Sequence, residues 1–331
     1  MKSIPVVHCF DNNYVLPAAV AFHSMLSHGN KIFFYELFVL HENITEKNQV
    51  DLKNLVGLFK NASLNFIEIK NSEFERMFIK TKNKGHFSKE IYFKFITPTL
   101  FPKFEKIIIA DVDVVYCGDI SEIFDSLSSN ERYYVAGHRP FIKRNSQIFD
   151  DVKAAYLKKF TQAEYAKVFY ISAGLMIFNL NLMRTDGLQK KFIEFAQKNV
   201  HRLILPEQDV INYVSYPNIK ALPANSLLCS YVYDIYKNEY DFENDELYSA
   251  SDVRGACLNP IQLHFASKYK PWTYPTTTKS EIWFRALADT PFLKRYLDSM
   301  GALLNEARRN KKILEIKLPF GEKSLVISRK K

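Results

Sequence analysis

The chain has 331 residues, 47% hydrophobic and 24% charged, enough apolar material for one large α/β domain or a domain plus an appendage and too ordinary in charge for global disorder. Its formal charge is +9, and nine Lys/Arg against three acids place +6 of that between Gly301 and Lys331, on a near-neutral body. No segment approaches the ~18 apolar residues of a membrane span, and no charged head with a long apolar run opens the chain, so the expectation is a cytoplasmic protein.

In chain order, Ile4–Phe10 reads as a strand and Leu16–His28 as a helix. Phe33–Leu40 is a second strand, Thr45–Leu58 a helix capped by Thr45, and Leu64–Ile69 a third strand. Glu90–Phe101 reads as helical with a break at Pro98, followed by Lys106–Ala110, the most apolar strand. Such alternation predicts a parallel sheet covered on both faces, with ligands beyond the carboxyl ends of its strands. Further on, Tyr134–Gly137, Tyr170–Asn179 and Ile261–Phe265 read as strands. Leu180–Val200, Gln208–Val214 and Lys279–Leu304 read as helices. There is no Gly/Ser linker and no repeat, so residues 1–272 are taken as one catalytic domain and 273–331 as a helical, basic extension.

Four scattered cysteines (Cys9, Cys117, Cys229, Cys257) show no C-x-x-C spacing and read as reduced, packed thiols. Glycine is scarce at 10 residues, about half the average usage of ~7%. No G-x-x-x-x-G-K-[ST] or strand-following G-x-G-x-x-G occurs, so a nucleotide diphosphate would need a metal and side-chain cations. Hydrolase elbows and H-E-x-x-H are absent as well. Basic and aromatic residues are spread along the chain instead of interleaved on one element, which argues against nucleic acid as partner.

The most informative segment is Asp111-Val112-Asp113, closing the apolar strand. Side chains two apart in an extended chain share a face, so the two carboxylates repel unless a cation sits between them. Such oxygen ligands suit Mn²⁺ or Mg²⁺; the plain alternative is a strand end facing water. Leu263-His264-Phe265 offers one imidazole, followed by Ser267, Lys268, Lys270 and Trp272, a basic loop suited to phosphate oxygens. Pro206-Glu207-Gln208-Asp209 opens an apolar helix, where acids also serve as ordinary dipole partners.

These segments, in this order from about Ile4 to Trp272, resemble glycosyltransferase family 8, in particular its bacterial lipopolysaccharide α-galactosyl- and α-glucosyltransferases. The resemblance implies a GT-A (Rossmann-like) fold, an α/β architecture with a mostly parallel sheet flanked by helices. It also implies a UDP-hexose donor (glucose or galactose), Mn²⁺ with Mg²⁺ as the alternative, and retention of anomeric configuration. Phe10-Asp11-Asn12-Asn13-Tyr14 matches the opening segment on uracil, with Tyr14 stacking and Asn13 hydrogen-bonding; Cys9 and Asp11 would lie beside them. Asp111 and Asp113 match the metal-holding acids, with Val112 near the ribose and His264 as third ligand. Ser172-Ala173-Gly174 matches the segment touching the donor sugar. Glu207 and Gln208 match the pair under the anomeric carbon, and Lys270 a diphosphate-binding lysine. Three departures stand out: Lys94 where the family has Arg, Ser172 for Asn, and Ser267 for Gly.

The implied acceptor is a glycolipid or oligosaccharide, with lipopolysaccharide core the expected one. The basic tail would hold the protein peripherally on the anionic inner face of the cytoplasmic membrane, helped by Leu303, Leu304, Ile313, Leu314, Ile316 and Leu318. Two competing readings are a nucleotide-sugar-binding protein without transfer, and another nucleotide-dependent D-x-D transferase such as a nucleotidyltransferase.

Overall fold

The computed structural model describes all residues except 71, 81–87, 142–146, 236–247, 310–313, 318–323 and 328–331. Its strands are β1 (Lys2–Cys9), β2 (Phe33–His41), β3 (Ala62–Glu68), β4 (Lys106–Ala110), β5 (Val114–Tyr116), β6 (Val135–Gly137), β7 (Leu175–Asn179), β8 (Ile219–Ala221), β9 (Leu228–Cys229), β10 (Gln262–His264), β11 (Leu314–Lys317) and β12 (Ser324–Ile327). Seven form one sheet in the order β3-β2-β1-β4-β7-β6-β8. The β3-β2-β1-β4 half is parallel, whereas β7 runs antiparallel to both of its neighbours. The sheet is thus mixed, with an α/β architecture in which parallel strands predominate.

The parallel half is built from helical crossovers. Parallel neighbours need a crossover, and β1, β2 and β3 are joined by the helices Val15–His28 and Glu46–Val56. Thr45 caps the second helix, its side chain accepting from the Asn48 N–H. Two cores sandwich the sheet. Ile4, Val6, Ile108 and Ala110 face one side with Phe22 and Trp283, while Val7, Ile107 and Ile109 face the other with Phe93 and Phe192. This alternation explains why Lys106–Ala110 reads as an unbroken apolar run: a central strand is buried on both faces.

A second sheet, β5-β10-β9, stands at the carboxyl end of β4. It is built by the chain just after Asp113, and it decides what meets the two aspartates.

Several elements differ from the sequence expectation. Residues 170–174 approach β7 as a loop, because Ile171 and Ala173 spend their N–H groups on the side chains of Asn212 and Gln208. The expected helix 180–200 breaks into Leu180–Thr185 and Leu188–Asn199 at Gly187, whose φ of 64° is a conformation glycine tolerates. Lys279–Leu304 is likewise two helices, Ser280–Ala288 and Phe292–Arg309, divided at Thr290-Pro291. Lys89–Ile96 is 3₁₀, and Pro98 lies in the first turn of Thr97–Leu100, where a missing N–H costs nothing. The helices Gln147–Leu157, Gln162–Val168 and Ala250–Leu258 were not anticipated.

Trp283, Leu287, Phe292 and Tyr296 join the same core as β1, so packing continues across residue 272. Past Arg309 the described residues form the antiparallel pair of β11 and β12, which helical periodicity did not foresee. Among the described residues, no helix is long and apolar enough to cross a membrane. The four cysteines are unpaired.

Two fully buried imidazoles bind the fold to pH. Burial lowers His8 to about 4, outweighing its hydrogen bond to the Ala110 carbonyl. It lowers His138, which donates to the Ala224 carbonyl, to about 3. The unfolded chain protonates near the ordinary 6.5, so below that pH it binds protons the native state refuses, and stability falls as pH drops towards 4. Each imidazole contributes on the order of 3 kcal/mol to this loss. Thermal melts between pH 7 and 4 should show a shallower decline for His138→Gln, which keeps a donor for Ala224, than for wild type; parallel curves would contradict it.

Candidate active site

The site forms where β4 ends. Asp111 follows the strand directly, and its N–H is anchored by the Gly174 carbonyl at 3.0 Å. Asp113 precedes β5, which pairs antiparallel with β10 so that His264 lies opposite Val114. The Phe265 N–H then reaches the Asp113 carbonyl at 2.9 Å. This register carries an imidazole 151 residues away in sequence to the aspartates. His264 Nε2 lies 3.1 Å from Asp113 Oδ1 and 3.8 Å from Asp111 Oδ2.

Each carboxylate is held from behind by a lysine. Lys94 Nζ donates to Asp111 Oδ1 at 2.8 Å, and Lys270 Nζ donates to Asp113 Oδ2 and, at 2.7 Å, to the Phe265 carbonyl. The oxygens left over, Asp111 Oδ2 and Asp113 Oδ1, are the two facing His264. Burial works against the Asp113 charge, but Lys270 and His264 hold its carboxyl well below the usual range. Burial likewise opposes charge on His264, yet Asp113 lifts the imidazole to about 10.

The donor atoms of Asp111, Asp113 and His264 all lie within 4.8 Å of one another. Ligands about 2.1 Å from a small divalent ion sit about 3 Å apart when adjacent and about 4.2 Å when opposite, so the trio fits such an ion. Two carboxylate oxygens with one imidazole nitrogen is a donor set suited to Mn²⁺ or Mg²⁺. The charge is consistent with this: the lifted His264 carries a proton when no ion is bound, so Lys94, Lys270 and the imidazolium balance Asp111, Asp113 and Glu207, and an entering cation would take the place of that proton.

The trio stays open because residue 174 is glycine. A Cβ there would lie 2.5 Å from His264 Nδ1 and 2.6 Å from its Cε1, so any larger side chain must push the ring off the aspartates. The need is for space.

Lys94 stands where a guanidinium was expected. Its Nζ reaches Asp111, the Ala173 carbonyl at 3.3 Å and Glu207 Oε1 at 3.4 Å, so three acceptors match the three protons of an ammonium. Burial would lower its pKa, but Asp111 and Glu207 hold it above the ordinary lysine value. Burial raises Glu207 in turn, with Lys94 acting against the rise. Glu207 Oε2 is buried and without a partner. Gln208 Oε1 accepts the Ala173 N–H at 3.0 Å. Asp209 bonds the Tyr156 hydroxyl at 2.6 Å and the N–H groups of Ile204 and Leu205. It anchors the helix start, as the plain reading of that segment had it.

A cleft opens over these groups. Of the residues singled out in the sequence, Cys9, Tyr14, Asp111, Val112, Asp113, Ser172, Ala173, Glu207, Gln208 and His264 line it. Phe10, Ser88, Ile91, Gly174, Leu205 and Ala266 line it too. Of these, Phe10 and Gly174 sit inside the quoted motifs, while Ser88, Ile91, Leu205 and Ala266 carry no chemical signal in sequence. Lys94 and Lys270 lie beneath the surface behind the aspartates. Asp11 and Asn13 are bonded to each other beside the cleft, the Asn13 N–H to Asp11 Oδ1 at 2.8 Å. Ser267 does not line the cleft; its hydroxyl accepts the Tyr269 N–H at 3.1 Å. Ser172 Oγ accepts the Gly174 N–H at 3.4 Å.

Strands alternating with helices, a mostly parallel sheet and an Asp-Val-Asp just past a central strand's carboxyl end describe a GT-A-type fold. The chain matches glycosyl transferase family 8 over residues 5–276 and belongs to that family. A Haemophilus influenzae protein with a provisional glycosyltransferase name is 25% identical over 221 residues, 66% of this chain and 61% of its own length. Among solved structures, the galactosyltransferase LgtC, in complex with donor and acceptor sugar analogues, superposes with a TM-score of 0.68 at 17% identity, covering 87% of this chain and 96% of that one. The bifunctional glycosyltransferase WbbM gives 0.68 at 22% identity, covering 90% of this chain and 51% of its own. The chain thus spans about half of WbbM and three fifths of the Haemophilus protein. At these identities the structural likenesses speak to fold alone.

The Gly174 contact yields a test. Gly174→Ala should leave the fold intact and weaken Mn²⁺ uptake about 10–100-fold, the cost typical of disturbing a ligand's support. Calorimetry reads this directly, and unchanged uptake would show that His264 does not depend on the space.

Proposed function

We propose that the protein is a metal-dependent, retaining glycosyltransferase that moves a hexose from a UDP-sugar to a saccharide acceptor. The observation that carries this reading is the pair of carboxylates, each tied to a lysine by one oxygen and turning the other toward His264, at the floor of a cleft bordered by Tyr14. Bound to Asp111, Asp113 and His264, a divalent ion (Mn²⁺, or Mg²⁺) would neutralise charge on the departing diphosphate as a Lewis acid.

The chain's own groups supply the rest of the reading. Tyr14, edge-on against Trp272 at 5.9 Å, would stack on the uracil, with Asp11, Asn13 and Cys9 around the base and the Val112 backbone near the ribose. Lys270 is buried and would bring a cation to the diphosphate, with Ser267 near it. Glu207 Oε2, unpartnered and in the cleft wall, would take a sugar hydroxyl, with Ser172, Ala173 and Lys94 around the hexose. Gln208 borders the cleft where an attacking group would sit, but its carbonyl oxygen is engaged by a backbone N–H, and an amide is a weak nucleophile. That favours front-face attack, with the departing phosphate oxygen taking the acceptor's proton while the sugar passes through an oxocarbenium-like state.

The acceptor would be a glycolipid or oligosaccharide such as lipopolysaccharide core. Residues 1–272 would form the catalytic domain, and the basic extension 273–331 would rest on the anionic inner face of the cytoplasmic membrane. Leu303 is exposed, whereas Lys311, Lys312, Ile313, Leu318, Lys323, Arg329, Lys330 and Lys331 lie outside the described residues, and the side chains of Arg308, Arg309, Leu314, Ile316 and Lys317 are not described either.

Incubation with UDP-[¹⁴C]glucose or UDP-[¹⁴C]galactose and Mn²⁺ should release free hexose slowly even without acceptor. Asp113→Ala should abolish that release and Lys270→Ala should lower it about 10²–10³-fold, the cost of losing one stabilising charge contact. Turnover at an unchanged rate in chelator would sink the reading. For the tail, truncation after Gly301 should shift the protein from the membrane pellet to the supernatant on fractionation, each lost Lys/Arg removing about 1 kcal/mol of attraction; identical fractionation would remove the membrane assignment.

A further inference from the structure

The loop Asp11–Tyr14 is joined to the helix Phe292–Arg309 by two separate routes. The first is polar. The Thr45 N–H donates to Asn12 Oδ1 at 3.2 Å, and Asn48 Nδ2 donates to the same oxygen at 2.8 Å. Arg295 Nη1 then donates to Asn48 Oδ1 at 2.8 Å. The amide orientations follow from this order. A backbone N–H can only donate, so Asn12 presents its oxygen; Asn48 must meet that oxygen with its NH₂, and its own oxygen is left for a donor. The guanidinium is the donor that completes the chain. Arg295 is further steadied by Asp51 at 3.6 Å and by the Phe292 ring at 5.7 Å.

The second route is aromatic. Tyr296, the next residue on the helix, packs on Trp283 at 6.2 Å between centroids, Trp283 on Trp272 at 5.6 Å, and Trp272 on Tyr14 at 5.9 Å. Adjacent residues of one helix therefore reach both ends of the triplet Asn12–Tyr14. Asn48 is buried, so an unmet oxygen there would be costly. Arg295 is half-exposed, yet its guanidinium supplies the donor to that buried oxygen.

The geometry points to Arg295 as a positioning residue for nucleobase binding: through Asn48 it fixes Asn12, and with it the turn that presents Tyr14 to the uridine moiety of a nucleoside diphosphate. This rests on the donor reading above. Arg295 touches neither the aspartates nor Lys270, so its influence falls on the base end of the donor and leaves the diphosphate end alone. Donor affinity would then depend on the seating of the C-terminal helix while turnover would not.

The test compares two ligands on the full chain. With Mn²⁺ present, calorimetry gives dissociation constants for UDP and for inorganic pyrophosphate, which has no base. Arg295→Ala should weaken UDP about tenfold and leave pyrophosphate within twofold of wild type. In donor hydrolysis KM should rise by a similar factor with kcat unchanged. Arg295→Lys, which still offers a donor to Asn48, should recover most of the loss. Asn12→Ala should show the same UDP-selective weakening, and Asn12→Ala/Arg295→Ala should be no weaker than Asn12→Ala alone, since both break one chain. Equal weakening of UDP and pyrophosphate, additive single effects, or unchanged UDP affinity would each overturn the inference. If wild type takes up pyrophosphate with Mn²⁺ but shows no preference for UDP, the donor reading fails with it, and that outcome is distinct from one in which wild type prefers UDP and Arg295 has no effect.

Discussion

Charge confinement governs this molecule. Two aspartates stand one residue apart at the end of a fully buried strand, an arrangement that like-charge repulsion would disfavour unless cations surround it. The protein supplies two of those cations itself, Lys94 behind Asp111 and Lys270 behind Asp113. Each lysine occupies one oxygen and so orients the other. The carboxylates are thereby prevented from rotating, and their remaining oxygens converge on His264. An ion meeting this trio would find ligands already in place, which lowers the ordering cost of binding it.

Much of the surrounding structure serves that convergence. The β5-β10 register places His264 opposite Val114, and Gly174 keeps the space beside the ring clear. Ala173 lies next to Gly174 and ties the same loop to the helix Pro206–Ser215 through Gln208, while its carbonyl accepts from Lys94. One short turn thus touches the ring of His264, the lysine of Asp111 and the helix that carries Glu207. A disturbance there would reach the Asp111–Asp113–His264 trio and the Glu207 carboxylate together.

The departures from the family pattern look different once their contacts are known. An ammonium at residue 94 meets three oxygens in a buried setting, where the five donors of a guanidinium would leave some unmet. Ser172 and Ser267 spend their hydroxyls on nearby backbone N–H groups, so each knits its own loop. Asn12, which carries no role in the sequence reading, connects the Asp11–Tyr14 turn to Asn48 and onward to the C-terminal helix.

The sequence by itself determined whatever depends on neighbours along the chain. Alternating apolar runs gave the strands of the parallel half, Thr45 gave a helix start, and the apolar run up to Ala110 placed both acids just past a strand's carboxyl end. It misjudged places where a backbone group is satisfied from afar: residues 170–174 are apolar enough for a strand, yet Asn212 and Gln208 claim their N–H groups. Tertiary structure alone decided that His264 meets Asp113 and that Lys94 and Lys270 stand behind the aspartates. It alone decided, too, that Asp209 turns to Tyr156 while Glu207, two residues earlier, borders the cleft. The reason is physical. Hydrophobic period and capping are local in the chain, whereas the pairing of a buried charge is set by strand register and by which oxygen or nitrogen lies within about 3 Å, and neither is written in the spacing of residues along the chain.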